Sequence, residues 1–267
     1  MPNRLIIDDD NYRQHLGDGE EVTINGQVRK FGCVRTPGRM RAAPQMTLAA
    51  AGVQLIPESE WAARAQQRLD DAADIKSLTY ATECLDQDGR GQCWLYGNCG
   101  AFRSRCVIQG GVIRLPSVQS LAWAIYGGRS WGNRGGDPAD SFEALMDQGA
   151  ARSQLWPMNG EGQSGKCKTD AAEADRANNH LLVGVELGHE NKRWNELVSC
   201  LLQGIPCAAC WDWWSHHTEV CDYMPSGNLR GRNSWSADYG DNGFYELAGS
   251  KKFPSGAWAF VQVTQSI

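Results

Sequence analysis

The period of the hydrophobic pattern changes near residue 176, and this change limits the possible folds more than any other feature of the sequence. Before it, apolar residues recur with helical spacing, as in 59–75 and 93–108. After it, short runs rich in β-branched and aromatic residues predict strands, as in 181–187 and 216–224. A helical half followed by a strand-rich half is typical of an α+β protein with two subdomains.

Composition excludes several classes of protein. With 267 residues, of which 42% are hydrophobic, the chain can build a substantial core. Its net charge of -5 provides no basic field for nucleic acid or an anionic membrane, so neither partner is expected. No run of about 18 apolar residues could span a bilayer, and the N-terminus carries three aspartates where a secretory signal needs an apolar core. A cytoplasmic location is therefore predicted.

The ten cysteines are expected to be reduced thiols in such a location. Cys207 and Cys210 form the one CxxC pair, and a structural zinc site would need further ligands from elsewhere. The pair also lies in an apolar run, IPCAACW, which indicates a buried strand whose cysteines act as small hydrophobic residues. No metal or cofactor is predicted.

Cys93 opens a predicted helix directly after the Gly-rich loop 86–92. A cysteine attacks a carbonyl carbon as its thiolate, and a helix N-terminus stabilises that anion. Two glycines inside this helix, Gly97 and Gly100, indicate close packing against a neighbouring element. Taken alone, such a cysteine is more often a core thiol than a nucleophile. The surrounding sequence therefore has to show which of the two Cys93 is.

Two distant segments resemble the active-site segments of papain-like cysteine peptidases. The first has Gln87 six residues ahead of the Cys93-Trp94 pair, and the second begins at Asn233 and reads NSWSADYGDNGF. The resemblance implies that Cys93 is the nucleophile and that the Gln87 amide and the Cys93 N–H stabilise the oxyanion. It also implies that Asn233 orients the catalytic imidazole, while Trp235 shields that hydrogen bond from water.

A third stretch resembles the same family and follows in the same order. It comprises 115–121 (LPSVQSL), the pair Gly135 and Gly136, and 155–157 (LWP). In the family the paired glycines let the substrate backbone lie against the chain as an added strand, so Gly135 and Gly136 are candidate substrate-binding residues. The family's usual disulfide is missing, because Arg90 stands at its first cysteine position and its second falls in a segment without cysteine.

The resemblance requires a histidine on a strand between the two segments, and His216 and His217 are adjacent candidates. If His217 is the catalytic residue, Glu219 and Asp222 fall on positions that are apolar in the family. Two carboxylates would then be buried without partners, which is costly. This argument favours His216.

A hairpin argument gives the same preference. If His216 lies opposite Asn233 on the next strand, then Glu219 lies opposite Arg230, provided that no bulge intervenes. Opposite charges across two strands stabilise the pair. His216 is therefore the predicted catalytic base, and His217 stays open as the alternative.

The resemblance covers about residues 56–267 and implies a papain-like fold. It has a helical half, an antiparallel β-barrel-like half and an active site in the cleft between them. The chain then divides into an N-terminal extension (1–55), a helical subdomain (56–175) and a β-rich subdomain (176–267). The extension is expected to be a short propeptide or β appendage, with strands predicted at 21–24 and 27–31. It is too short for the family's long helical inhibitory prosegment.

The function that the resemblance implies is that of a cysteine endopeptidase. It would hydrolyse a peptide or protein substrate through an acyl-enzyme intermediate, and it would be encoded by a bacterium or a phage. Two alternatives stay open: another cysteine amidase or transpeptidase, for example on peptidoglycan stem peptides, and a non-catalytic binding or structural protein with this fold. The joint presence of a glutamine, cysteine, histidine and asparagine argues against the last of these.

Overall fold

The computed structural model describes residues 4–16, 21–36, 46–110, 115–127 and 135–264. Within these ranges lie seven α-helices, and all but the last end before the first long strand. The helices are α1 (Trp61–Asp70), α2 (Ile75–Thr79), α3 (Cys93–Gly110), α4 (Val118–Tyr126), α5 (Pro138–Asp147), α6 (Asp170–Ala177) and α7 (Glu190–Leu202). No helix in this part of the chain is both long and apolar enough to cross a membrane.

The strands are β1 (Ile6–Ile7), β2 (Glu21–Ile24), β3 (Gln27–Lys30), β4 (Leu181–Glu186), β5 (Cys207–Trp211), β6 (His216–Tyr223), β7 (Leu229–Arg232), β8 (Phe244–Leu247) and β9 (Gly256–Val263). One mostly antiparallel sheet has the order β1-β8-β7-β6-β5-β9-β4, and β2 and β3 form a separate hairpin. The α+β class is therefore confirmed. The large sheet is open between its edge strands β1 and β4, so the barrel-like closure expected for this half is not found in the described residues.

Local capping residues explain most helix boundaries. Ser117 caps α4 by accepting a backbone N–H from the first turn. Gly149 follows α5 with a φ of 70°, which a glycine adopts without steric cost. The single helix predicted over 59–75 is wrong, because α1 ends earlier and Asp74 starts a new helix by accepting the Ser77 N–H.

The register between β6 and β7 differs from the predicted one. Glu219 lies opposite Arg232, and a bulge before Asp222 shifts the register so that Arg230 lies opposite Asp222. The Glu219 carboxylate accepts a hydrogen bond from Ser104 Oγ on α3 instead. Both carboxylates are buried and have partners, so the sequence argument from unpartnered charges does not distinguish the two histidines.

Helix α3 crosses the β6 strand at short distance, and two glycines make this crossing possible. A Cβ atom on Gly97 would lie 2.5 Å from His217 Cδ2, and one on Gly100 would lie 2.9 Å from Glu219 Oε2. The predicted close packing at both glycines is confirmed. Because α3 begins at Cys93, this crossing fixes the height of Cys93 relative to the two histidines.

The N-terminal residues join the rest of the molecule at two places. Strand β1 adds a parallel edge strand next to β8, and Arg4 forms a two-pronged ion pair with Glu246 on β8. The β2–β3 hairpin is anchored by the buried Arg29, which pairs with Asp86 and donates to the Trp235 carbonyl oxygen at 3.3 Å. The hairpin is thereby held against the segments that carry Gln87 and Asn233.

Candidate active site

Cys93 is the first residue of α3, and its side chain is fully buried. Burial raises the pKa of the thiol to about 12. Backbone N–H groups of His217, Gly32 and Trp94 donate towards the sulfur and oppose this shift without cancelling it. A thiol with such a pKa is protonated near neutral pH, so Cys93 is unreactive in this conformation.

The imidazole of His216 is bound by Asn233. His216 Nε2 lies 2.8 Å from Asn233 Oδ1, and because an amide oxygen can only accept, the ring proton is on Nε2. The other nitrogen, Nδ1, is buried and has no hydrogen-bond partner among the described residues. Burial lowers the pKa of His216 to about 4, although its hydrogen bond with Asn233 acts in the opposite direction. The ring is therefore neutral near pH 7 and able to accept a proton at Nδ1.

Three aromatic rings surround the His216 imidazole and explain its desolvation. The Trp235 ring lies 4.5 Å from it at an interplanar angle of 30°. The Trp214 ring lies at 4.9 Å and the Phe31 ring at 5.9 Å, both edge to face. Phe31 belongs to the N-terminal part of the chain, so this enclosure is incomplete without it.

His217 points the other way and serves as a link between elements. Its Nε2 lies 3.0 Å from Asn98 Oδ1 on α3. The Asn98 Nδ2 group in turn donates to the Pro138 carbonyl oxygen at 2.8 Å and to Ser141 Oγ at 2.6 Å on α5. Burial, followed by the neighbouring His216, lowers the pKa of His217 to about 3. His217 thus ties the sheet to two helices.

The fully buried Gln87 lies next to the Asn233 segment. Its backbone N–H donates to the Ser234 carbonyl oxygen at 2.9 Å, and its Oε1 accepts from Ser234 Oγ at 2.6 Å. Its Nε2 group donates to the carbonyl oxygens of Arg90 at 2.6 Å and Lys30 at 2.9 Å. The amide that the resemblance assigns to the oxyanion is therefore shared between Arg90 of its own loop and Lys30 of the N-terminal part of the chain.

Residues 30–36, here called the cleft segment, run between the helical side and the β-rich side of the molecule. On the helical side, the Gly136 N–H donates to the Gly32 carbonyl oxygen at 2.9 Å, and the Val34 N–H donates to the Gly136 carbonyl oxygen at 3.0 Å. The paired backbones run parallel at Cys33 and Gly136. The backbone that the resemblance assigns to substrate binding is therefore already paired.

On the β-rich side, the cleft segment is bound by the β5–β6 and β9 regions. The Cys33 N–H donates to the Ser215 carbonyl oxygen at 3.2 Å. Arg35 donates to the Ser255 carbonyl oxygen and lies 3.4 Å from the Asp212 carboxylate. The segment therefore contacts both walls of the cleft.

Three glycines let the cleft segment approach the site closely. A Cβ atom on Gly32 would overlap the Gly91 carbonyl oxygen, and one on Gly135 would lie 2.8 Å from the Gly32 carbonyl oxygen. A Cβ on Gly136 would lie 2.5 Å from the Trp94 ring. Larger residues at these positions would separate the backbones.

The structure thus places the Cys93 sulfur against the backbone N–H of His217, the residue after His216. It also holds His216 against Asn233 and Gln87 against Ser234. The Gly135–Gly136 pair lies beside this region, with Gly136 packed against the Trp94 ring. Sequence reasoning missed the cleft segment, because a single irregular strand has no periodicity of its own. The glycine-cysteine pair directly after the predicted strand 27–31 was the one available signal, since a glycine often marks a close backbone approach.

Comparison with known proteins identifies the fold. Xylellain, a cysteine protease from Xylella fastidiosa, matches with a TM-score of 0.60 and 14% identity over 92% of this chain and 100% of that one. Digestive procathepsin L 3 from the Tenebrio molitor larval midgut matches with a TM-score of 0.57 and 19% identity over 69% of this chain and 67% of that one. The recombinant stem bromelain precursor matches with a TM-score of 0.56 and 17% identity over 77% of this chain and 73% of that one.

These solved structures are papain-like cysteine proteases, so the chain has the papain-like fold. No protein-family model and no curated protein sequence matches the chain. At identities this low the likeness concerns the fold, and the chemistry has to be argued from the site itself.

Proposed function

We propose that the chain is a cysteine endopeptidase in which Cys93 is the nucleophile and His216 is the general base. The observation that carries the proposal is the hydrogen bond between His216 Nε2 and Asn233 Oδ1. It fixes the tautomer and leaves His216 Nδ1 as the nitrogen that can take the Cys93 proton. His217 is not assigned this role, because its ring packs against Gly97 of α3 and its hydrogen-bond partner is Asn98 of that helix rather than Asn233.

The reaction begins when His216 removes the Cys93 proton and the thiolate attacks a peptide carbonyl carbon. The Cys93 N–H and Gln87 Nε2 donate to the resulting oxyanion. The C–N bond breaks as the imidazolium protonates the leaving amine, and a thioester remains on Cys93. His216 then deprotonates water, which attacks the thioester, and the carboxylic acid leaves as the thiol is restored. Asn233 and Trp235 keep the imidazole oriented and shielded throughout.

Backbone pairing at Gly136 supports a peptide as the substrate. The cleft segment uses both the N–H and the carbonyl oxygen of Gly136, which an extended substrate would use in the same way. The neighbours named as cysteine proteases have the same fold, and proteases act on peptide bonds. We therefore assign Gly135 and Gly136 to substrate binding.

The proposed site is closed in this conformation, so the cleft segment has to leave before a substrate enters. The segment occupies the Gln87 donor and the Gly136 backbone, and its Phe31 ring covers His216. Its removal lets water in, which lowers the Cys93 pKa and raises that of His216 towards their usual values. Formation of the thiolate then becomes feasible near neutral pH.

A peptide-library digest tests the proposal. The full chain, in reducing buffer, is compared with Cys93→Ala, and Cys99→Ala serves as the matched control because Cys99 is also buried in α3. We expect wild type and Cys99→Ala to hydrolyse peptides and Cys93→Ala to be inactive. In Gly32→Val, in which the cleft segment is displaced, an epoxide-type thiol reagent should label Cys93 faster than the other nine cysteines. Cleavage by Cys93→Ala, or equal labelling of all thiols, would refute the assignment, and products of transfer to an amine would indicate a transpeptidase.

A further inference from the structure

We propose that Cys33 and Cys210 form a disulfide that locks the cleft segment over the active site, so that thiol oxidation controls access to it. Cys33 lies on the cleft segment, and Cys210 lies on β5 in the wall of the β-rich side. The pairing of these two residues depends on geometry alone. Its effect on activity rests on the function proposed above.

The cleft segment brings the Cys33 side chain to the β5 wall. The half-buried Cys33 packs against the apolar cluster that contains Cys210 and Trp258. A Cβ atom on Gly256 would lie 3.1 Å from Cys210 Sγ and 3.4 Å from Arg35 Cδ, so the Cys210 sulfur lies directly beneath the cleft segment. Both residues are free thiols in this structure.

The Cys210 thiol is the strongest influence on the Cys33 thiol. A hydrogen bond with that thiol, followed by burial, raises the pKa of Cys33 well above its usual value. Cys93 acts on Cys33 only through its charge. Because the Cys210 sulfur also lies below the cleft segment, Cys210 is the partner that we assign to Cys33.

A small-molecule disulfide such as oxidised glutathione supplies the oxidising equivalents. The Cys33 thiolate, which is a small fraction of the thiol because its pKa is raised, attacks one sulfur of oxidised glutathione. The S–S bond breaks, and one glutathione leaves as a thiol. The Cys210 thiolate then attacks the Cys33 sulfur and displaces the second glutathione. Two protein thiols lose two protons and two electrons, and the disulfide is reduced to two thiols. Cys33 reacts first because Cys210 is fully buried.

The disulfide changes how firmly the cleft is closed. In the reduced state, the segment is held by a few backbone hydrogen bonds and by Arg35, each of which is individually weak. In the oxidised state, Cys33 cannot move away from β5, and Gly32 and Val34 remain paired with Gly136. Reduction therefore precedes opening.

Disulfide mapping in the full-length Cys93→Ala chain tests the bond itself. The protein is equilibrated in glutathione buffers of increasing oxidised fraction, quenched with acid, alkylated and digested without reduction. We expect a cross-linked peptide pair joining Cys33 to Cys210 that disappears with dithiothreitol and in Cys33→Ser. The matched control Cys167→Ser removes a half-exposed cysteine outside the cleft and should leave the cross-link unchanged. A Cys33 found only as its glutathione adduct, or joined to another cysteine, overturns the proposal.

Labelling of Cys93 in the otherwise unchanged chain tests the lock. In oxidised glutathione, the rate of Cys93 labelling should be at least roughly tenfold lower in wild type than in Cys33→Ser, because the disulfide tethers the segment. Dithiothreitol should remove the difference. Equal rates despite a mapped cross-link would refute the lock. An inert Cys93 in both reduced proteins would instead refute the endopeptidase, and the mapping in Cys93→Ala is independent of that result.

Discussion

His216 and His217 are adjacent in sequence but have opposite surroundings, because successive side chains of a strand point to opposite faces. His216 lies against Asn233 and the Trp235 ring. His217 lies against Asn98 and Gly97 of α3. One residue step along β6 therefore separates the proposed catalytic base from a structural histidine.

Alanine substitutions at the two positions should differ in their effect on activity. We expect His216→Ala to lower kcat/KM by roughly 10²–10⁴-fold, because the general base is lost. His217→Ala should lower the free energy of unfolding by about 2–4 kcal/mol, because it leaves a cavity and an unsatisfied Asn98 oxygen. Peptide hydrolysis and urea unfolding measure the two effects. If His217→Ala is fully stable and inactive, the assignment is reversed.

The buried histidines also predict a pH dependence of stability. Their native pKa values, about 4 for His216 and about 3 for His217, lie below the usual 6.5. The unfolded chain therefore binds protons first, and stability that is present above pH 6.5 is lost as the pH falls towards 4. At pH 5 each of the two histidines should lower the free energy of unfolding by about 2 kcal/mol relative to neutral pH.

Urea unfolding at about pH 7.5 and 5 measures this loss. In His217→Gln the difference in stability between the two pH values should shrink by about 2 kcal/mol, whereas substitution of the exposed His189 should leave it unchanged. An unchanged difference in His217→Gln would show that this ring is protonated in the native protein. Comparing differences removes the contribution of the carboxylates, which all variants share.

At the level of elements, the crossing of α3 over β6 positions the proposed nucleophile relative to the strand that carries the proposed base. Gly97→Ala places a methyl group 2.5 Å from His217 Cδ2 and 3.1 Å from the Thr218 carbonyl carbon. We expect a loss of about 1–3 kcal/mol in unfolding free energy, because backbone has to move. Gly160→Ala is the control, since nothing lies within 4 Å of its added Cβ. Equal stability of the two variants would mean that α3 can shift freely.

The elements themselves were largely predictable, because each strand of the second half and most helices have a hydrophobic period of their own. The predictions from sequence failed where the hydrophobic period of an element is interrupted. The 59–75 region reads as one helix although Asp74 caps a second one. The bulge before Asp222 changes the register by one residue and leaves no trace in composition. Both depend on tertiary contacts, such as the Asp222 carboxylate accepting the Ile75 N–H at 2.7 Å.

For the site, the sequence indicated which residues belong to it but not how deeply they are buried or how burial shifts their pKa values. Motifs pointed to Cys93 and Asn233, but not to the burial that raises the Cys93 pKa or to the contact that residues 30–36 make with its sulfur through the Gly32 N–H. That segment is irregular and contacts both halves of the molecule, so local sequence patterns contain no information about its position.

At the scale of the whole molecule, the cleft segment contacts both halves and thereby closes the proposed site. Gly32→Val should displace it, because a side chain at this position overlaps the Gly91 carbonyl oxygen. The Cys93 pKa, about 12 in the closed form, should then fall, and labelling of Cys93 at pH 7 should rise at least roughly tenfold. Val28→Ala, at an exposed β3 side chain, is the control. Unchanged labelling in Gly32→Val would mean that the segment does not restrict the thiol.

The anchoring of the chain on either side of the cleft segment has a consequence for how substrates compete. Before the segment, Arg29 is buried against Asp86, and after it Leu48 and Val53 are buried in the core. The segment is therefore an intramolecular ligand, with an effective concentration on the order of millimolar that does not change when the protein is diluted. Dilution alone will not activate the protein, and a peptide in solution has to outcompete a ligand whose local concentration is constant.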